Sequence, residues 1–103
     1  MLNVKKRDGN VVPFDLTKIE NAIEKAFVAV KKVYTNEIIE LLALKVTADF
    51  NNKVSDNMIH VEDIQDSVEV ILIQSGYVDV SKAYILYRKQ HENIRNAKAT
   101  YRL

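Results

Sequence analysis

Lys5-Lys6-Arg7-Asp8-Gly9-Asn10-Val11-Val12-Pro13-Phe14-Asp15-Leu16-Thr17-Lys18-Ile19 is the stretch on which the reading of this 103-residue chain turns. Asp8-Gly9 lies between two short strand-like runs, Leu2 to Lys6 and Val11 to Phe14. Glycine accepts positive φ without a Cβ clash, so the two runs predict a β-hairpin. Pro13 has no N–H to give to a ladder, which places the second strand at an edge. Asp15 and Thr17 are both N-cap residues, and Thr17 with Glu20 has capping-box spacing, so a helix is expected to start here. Ile19, Ala22, Ile23, Ala26, Phe27 and Val30 continue it as one apolar stripe.

Outward from this stretch, three more helices follow. One is expected from Thr35 to about Asn51, with Ile39, Leu42, Ala43, Val46 and Phe50 buried and Glu37 on the favourable side of the helix dipole. Met58-Ile59-His60 is placed to add a third strand at the edge of the hairpin. Glu62 and Asp63 then open a helix with Val61, Ile64, Val68, Ile71 and Leu72 on one face, and Gly76 is suited to end it in the left-handed conformation. A last helix starts near Asp79 to Ser81, with Val80, Ala83, Tyr84, Tyr87 and Ile94 on its apolar side. Beyond Ile94 the pattern fades, with Tyr101 and Leu103 isolated in a polar run. The expected fold is α+β and mostly α: a small β-hairpin, with room for a third strand, capping a four-helix bundle. Residues 2–95 form one domain, and 96–103 a linker or frayed helix end.

Composition narrows the chemistry. The chain has no Cys, 2 Gly and 1 Pro. Disulfides, thiolate metal sites and cysteine nucleophiles are excluded. With Gly only at positions 9 and 76, neither a P-loop nor a dinucleotide glycine motif exists. His60 and His91 have no partners at metal-ligand spacing. Ser55, Ser67, Ser75 and Ser81 sit in no nucleophile-elbow pattern. No catalytic residue and no metal ligand is assigned. No apolar run approaches the roughly 18 residues of a membrane span, and the N-terminus does not read as a signal peptide. The expected compartment is the cytoplasm.

The net charge is +1, but its distribution is uneven. Lys5, Lys6, Arg7 and Lys18 stand early, and Arg88, Lys89, Arg95, Lys98 and Arg102 late, with acidic residues between. If the two ends meet, they make a localised positive pocket. Lys6 and Arg7 at the hairpin's end, beside the N–H groups of a helix N-terminus and Lys18, suit a phosphate group.

Three segments carry a family resemblance. Val4 to Ile19 resembles the opening motif of the ATP-cone, the allosteric adenine-nucleotide domain of many ribonucleotide reductases. Val61-Glu62-Asp63-Ile64-Gln65-Asp66-Ser67-Val68-Glu69 resembles its third helix, and Ala83-Tyr84-Ile85-Leu86-Tyr87-Arg88-Lys89 its closing signature. The texture is most like the N-terminal cone of anaerobic (class III) reductases. The same cone occurs in a transcriptional repressor of reductase genes, there preceded by a zinc ribbon.

The resemblance implies a site. Lys6, Arg7, Lys18 and Lys89 match phosphate-side positions; Val4, Phe14 and Ile19 match apolar positions around the base. Val61 and Gln65 match third-helix positions facing the nucleotide, where several members have Thr and His. The ligand implied is ATP or dATP with Mg²⁺. The partner implied is a second copy of the chain or the catalytic domain of a reductase, met by the apolar faces of the last two helices.

Plainer readings stand beside these. Lys5-Lys6-Arg7 alone reads as solvated charge guarding an edge strand. Tyr84 and Tyr87 read as core, His60 as partly buried, and His91, Arg95, Lys98 and Arg102 as surface residues. Two rival functions remain: a nucleic-acid-binding module built from the basic hairpin and C-terminal helix, and a helical interaction domain that no longer binds nucleotide. The near-zero net charge and the acidic third helix argue against nucleic acid.

Overall fold

In the computed structural model, Asn3–Lys5 (β1) and Val11–Pro13 (β2) pair antiparallel, with Val4 opposite Val12. Described are the backbone of residues 1–101 and the side chains of residues 1–90. The readings made for His91, Ile94, Arg95, Lys98, Tyr101, Arg102 and Leu103 lie outside the described side chains.

The loop between the strands is closed at both ends. The Lys6 N–H donates to Asn10 O at 2.8 Å, and the Gly9 N–H donates to Lys6 O at 3.0 Å. Gly9 has φ +90°, so this is a three-residue loop with glycine in the left-handed position. Asp8 accepts from the Asn10 N–H at 2.9 Å, which holds the loop from inside.

A third strand, Met58–His60 (β3), pairs parallel to β1 on its other side, so the order is β2-β1-β3 and Pro13 lies on an edge. Val12, Val4 and Ile59 form one row across the sheet. β3 is prepared by a tight turn at Asp56 and Asn57, with φ of 54° and 58°. Positive φ at both central residues is the type I′ condition, for which Asp and Asn are suited.

α1 spans Leu16–Ala29. Its cap is Asp15 rather than Thr17: the carboxylate accepts from the Thr17 N–H at 3.0 Å and from its hydroxyl at 2.6 Å. Thr17 therefore lies inside the helix, and the capping box with Glu20 gives way to this two-bond cap. α1 ends with Lys31 at φ 56°, and the Lys32 N–H reaches back to Phe27 O at 3.0 Å. α2 spans Asn36–Phe50, capped by Thr35, whose Oγ1 accepts from the Ile38 N–H at 3.2 Å. A 3₁₀ turn, Asn51–Lys53, leads away from it.

α3 spans Val61–Gln74 and starts one residue before Glu62, because His60 Nδ1 accepts from the Glu62 N–H at 3.3 Å. It ends at Gly76, φ +89°, with the Tyr77 N–H donating to Leu72 O at 2.8 Å and the Gly76 N–H to Ile73 O at 3.0 Å. That pair of bonds is the Schellman stop. α4 spans Val78–Tyr101.

The helices close a ring: α1 packs on α2 and α4, and α3 packs on α2 and α4. The apolar stripes meet inside it, with Ile23, Phe27, Val46, Phe50 and Leu72 fully buried. Phe27 holds Tyr34 and Tyr77 edge-on at centroid distances of 5.8 and 5.0 Å. Burial of side chains this size contributes roughly 1.5–3 kcal/mol each. Val4 and Ile59 carry the sheet into the same core. The fold is thus α+β and mostly α, with the three-stranded sheet capping the bundle. Among the described residues no helix is long and apolar enough to cross a membrane.

Candidate functional site

Where the sheet meets the bundle, a cleft of about 250 Å³ opens between the hairpin, α1, α3 and α4. β1 sends Val4 into its floor, and Phe14, directly after β2, forms a side wall. Phe14 is fixed from behind by an edge-on contact with Phe50 at 5.8 Å. Ile19 and Ala22 come from α1, Val61, Ile64 and Val68 from α3. These apolar surfaces suit a flat, weakly polar ring.

The rim is charged. Lys6 and Arg7 project from the hairpin loop, and Lys18 from the first turn of α1. The α1 N-terminus carries a partial positive charge, its Thr17 and Lys18 N–H groups are taken by Asp15, and its first turn holds no acidic residue. A lysine there is disfavoured by the helix itself, so Lys18 and the dipole together favour an anion at this end. Asp15 also lines the cleft. Hydrogen bonds from the Thr17 hydroxyl and N–H hold its carboxyl below the usual carboxylate value, with Lys18 adding to the effect.

α3 supplies the polar groups across from the hairpin. Arg7 Nη2 donates to Gln65 Oε1 at 3.1 Å, and Arg7 Nε lies 3.2 Å from Glu62 Oε1. Gln65 therefore orients a cation while itself lining the cleft. From α4, Tyr84, Tyr87 and Arg88 complete the wall. Tyr84 is buried, which pushes its phenol well above the usual range. Lys25 lies 5.7 Å from the centroid of the Tyr87 ring and ties α1 to α4. Arg88 Nη1 donates to Asp66 Oδ1 at 3.0 Å and Glu69 Oε1 at 3.2 Å. Burial works against the Arg88 charge, but the Asp66 bond and the two carboxylates outweigh it and raise its pKa.

Of the residues expected from the sequence, Val4, Lys6, Arg7, Phe14, Lys18, Ile19, Val61 and Gln65 all line this one cleft. Lys89 does not; it is exposed, one residue beyond the wall. Its neighbour Arg88 faces the cleft instead. The signal was present in the spacing, since Arg88 stands four residues after buried Tyr84 and so shares its helix face. Tyr84 and Tyr87, read as core, are wall residues as well.

A family model described as the ATP cone domain matches residues 2–93. The vitamin B12-dependent ribonucleoside-diphosphate reductase of Thermoplasma acidophilum is 45% identical over 100 residues, covering 92% of this chain and 12% of that protein. The reductase of the same name in Mycobacterium tuberculosis is 38% identical over 96 residues, covering 93% of this chain and 13% of the relative. The anaerobic ribonucleoside-triphosphate reductase of Haemophilus influenzae is 32% identical over 99 residues, covering 93% and 13%. The chain spans about an eighth of the length of these relatives.

Proposed function

Because this chain belongs to the family of ATP cone domains, nucleotide-binding regulatory domains, we propose that its cleft takes an adenine nucleoside triphosphate, ATP or dATP. The single observation that carries the reading is the meeting of Lys6, Arg7 and Lys18 on one rim of an apolar cleft. The cleft's 250 Å³ lies just under the ~300–1,000 Å³ of pockets that enclose a whole ligand. That size suits base and ribose inside, with the phosphates at the rim. Val4, Phe14, Ile19 and Val61 pack the base, and Gln65 reads its edge or the ribose. Lys6, Arg7 and Lys18 hold the phosphates, with Arg7 able to grip two oxygens at once. Exposed Lys89 adds charge from beside the cleft. Mg²⁺ arrives with the nucleotide, its ligands being phosphate oxygens and water.

The domain is residues 2–95, with 96–103 a linker or frayed end, and it is regulatory rather than catalytic. Its setting is the cytoplasm, as part of a ribonucleotide reductase or a related regulator. Occupancy changes contacts with a second copy or with the catalytic domain. An effector does this only if its binding free energy differs between the two assemblies. The outer faces of α3 and α4 support this, since Ile73 and Leu86 are 50% and 61% exposed there.

Calorimetric titration with ATP and with dATP, each with Mg²⁺, tests the reading. Saturable heat from either supports it; no heat from both leaves the domain as an interaction module without a ligand. Light scattering on the apo and loaded chain then reads the change of assembly.

A further inference from the structure

Both guanidiniums that line the cleft are engaged by the same face of α3. Arg7 reaches Glu62 and Gln65 from the hairpin side. Arg88 reaches Asp66 and Glu69 from α4. Glu62, Asp66 and Glu69 are spaced i, i+4 and i+7, so they form one stripe along that face. The two contact points lie about one turn apart, roughly 5 Å along the helix. A polyphosphate bridging the Arg7 and Arg88 walls would lie over this stripe. Both guanidiniums are thus already paired with carboxylates before any ligand arrives.

We infer that Arg88 is a further nucleotide-binding residue that Asp66 and Glu69 hold in reserve, so that these carboxylates and a nucleotide phosphate compete for one guanidinium. The inference rests on the nucleotide reading above. Arg88 uses one nitrogen, Nη1, for both of its bonds, and Nη2 and Nε make none among the described residues. The planar fork can therefore accept a second anion before the first pair is lost. Asp66 is half exposed and Glu69 about a quarter exposed, so water can take over either carboxylate when Arg88 leaves it. The Arg88–Asp66 pair is open to water on its Asp66 side while the Arg88–Glu69 pair is part-buried, and a doubly gripped phosphate outcompetes both.

The consequence is coupling. The Arg88 bonds link α4 to α3, and these two helices carry the exposed apolar residues Ile73 and Leu86. When phosphate takes Arg88, that link slackens at the same moment the cleft fills. Phosphate occupancy is thereby read out in the α3–α4 contact.

The test is titration of the 103-residue chain with ATP and Mg²⁺, comparing the parent with Asp66→Asn/Glu69→Gln and with Arg88→Gln. The double variant should bind about threefold to tenfold tighter, the size of two released, partly exposed ion pairs, while its apo form melts lower. Arg88→Gln should bind more weakly. A merely structural link would weaken binding in both variants. If the parent binds and the double variant binds equally or more weakly, the competition is refuted while the nucleotide reading stands. If the parent takes no nucleotide, that reading falls and this one with it. Asp66→Asn alone, at a half-exposed side chain, provides a folded check and should shift affinity in the same direction.

Discussion

Replacing Lys18 with Ala separates binding from folding at one position. Lys18 is exposed, and no hydrogen bond or ion pair to its side chain occurs among the described residues. It stands in the first turn of α1, where the helix dipole disfavours a cation by about 0.3–1 kcal/mol. Ala is also the best helix former. Against this, Lys18 helps hold Asp15 ionised. The expected change in stability is therefore within about 0.5 kcal/mol, or a melting shift of at most roughly 4 °C for a domain of this size.

Binding should respond differently. A charge-assisted hydrogen bond is worth about 1.5–3 kcal/mol, so Lys18→Ala should weaken ATP binding roughly 10- to 150-fold. Differential scanning calorimetry and isothermal titration on the same samples give both numbers. An affinity loss below twofold would refute the placing of phosphates at the α1 N-terminus. So would an affinity loss that tracks a large drop in melting temperature.

Two further changes probe the frame around the site. Lys31→Gly should raise stability by about 1 kcal/mol in thermal denaturation, because Lys31 holds φ 56° at the end of α1, where glycine carries no Cβ penalty. Asp15 supplies a pH dependence: its folded pKa lies below the unfolded value near 3.8, so its stabilisation is complete above that value. As pH falls through the folded value it is lost, so an acid melting series should steepen below pH 3.8 in the parent and less so in Asp15→Ala.

Much of the fold was legible because its signals are local. Asp8-Gly9 announces the hairpin, and among the described residues each helix shows a stripe whose central positions are buried, such as Ile23 and Phe27 in α1 or Val80 and Tyr84 in α4. The misplaced details arise where two residues compete for one role. Asp15 and Thr17 both suit a cap; only the fold shows that Asp15 accepts while Thr17 donates. His60 caps α3 although histidine is not a favoured cap, because its strand leads directly into the helix. The pairing of β3 with β1 joins residues more than 50 positions apart, and no local pattern specifies it. At the site, the residues around the opening motif were legible through the family's spacing. Arg88 lines the cleft and Lys89 lies beside it because the phase of α4 against the cleft follows from how Tyr84 packs.

An amide-shift titration of the isotope-labelled chain with ATP and Mg²⁺ bears most directly on where the nucleotide sits. The expected shifts cluster at Val4 to Arg7, Lys18 to Ala22, Val61 to Gln65 and Tyr84 to Arg88, the segments that meet at the cleft. Saturable shifts confined to the outer face of α2, around Leu41 and Leu44, or none at all, would contradict it.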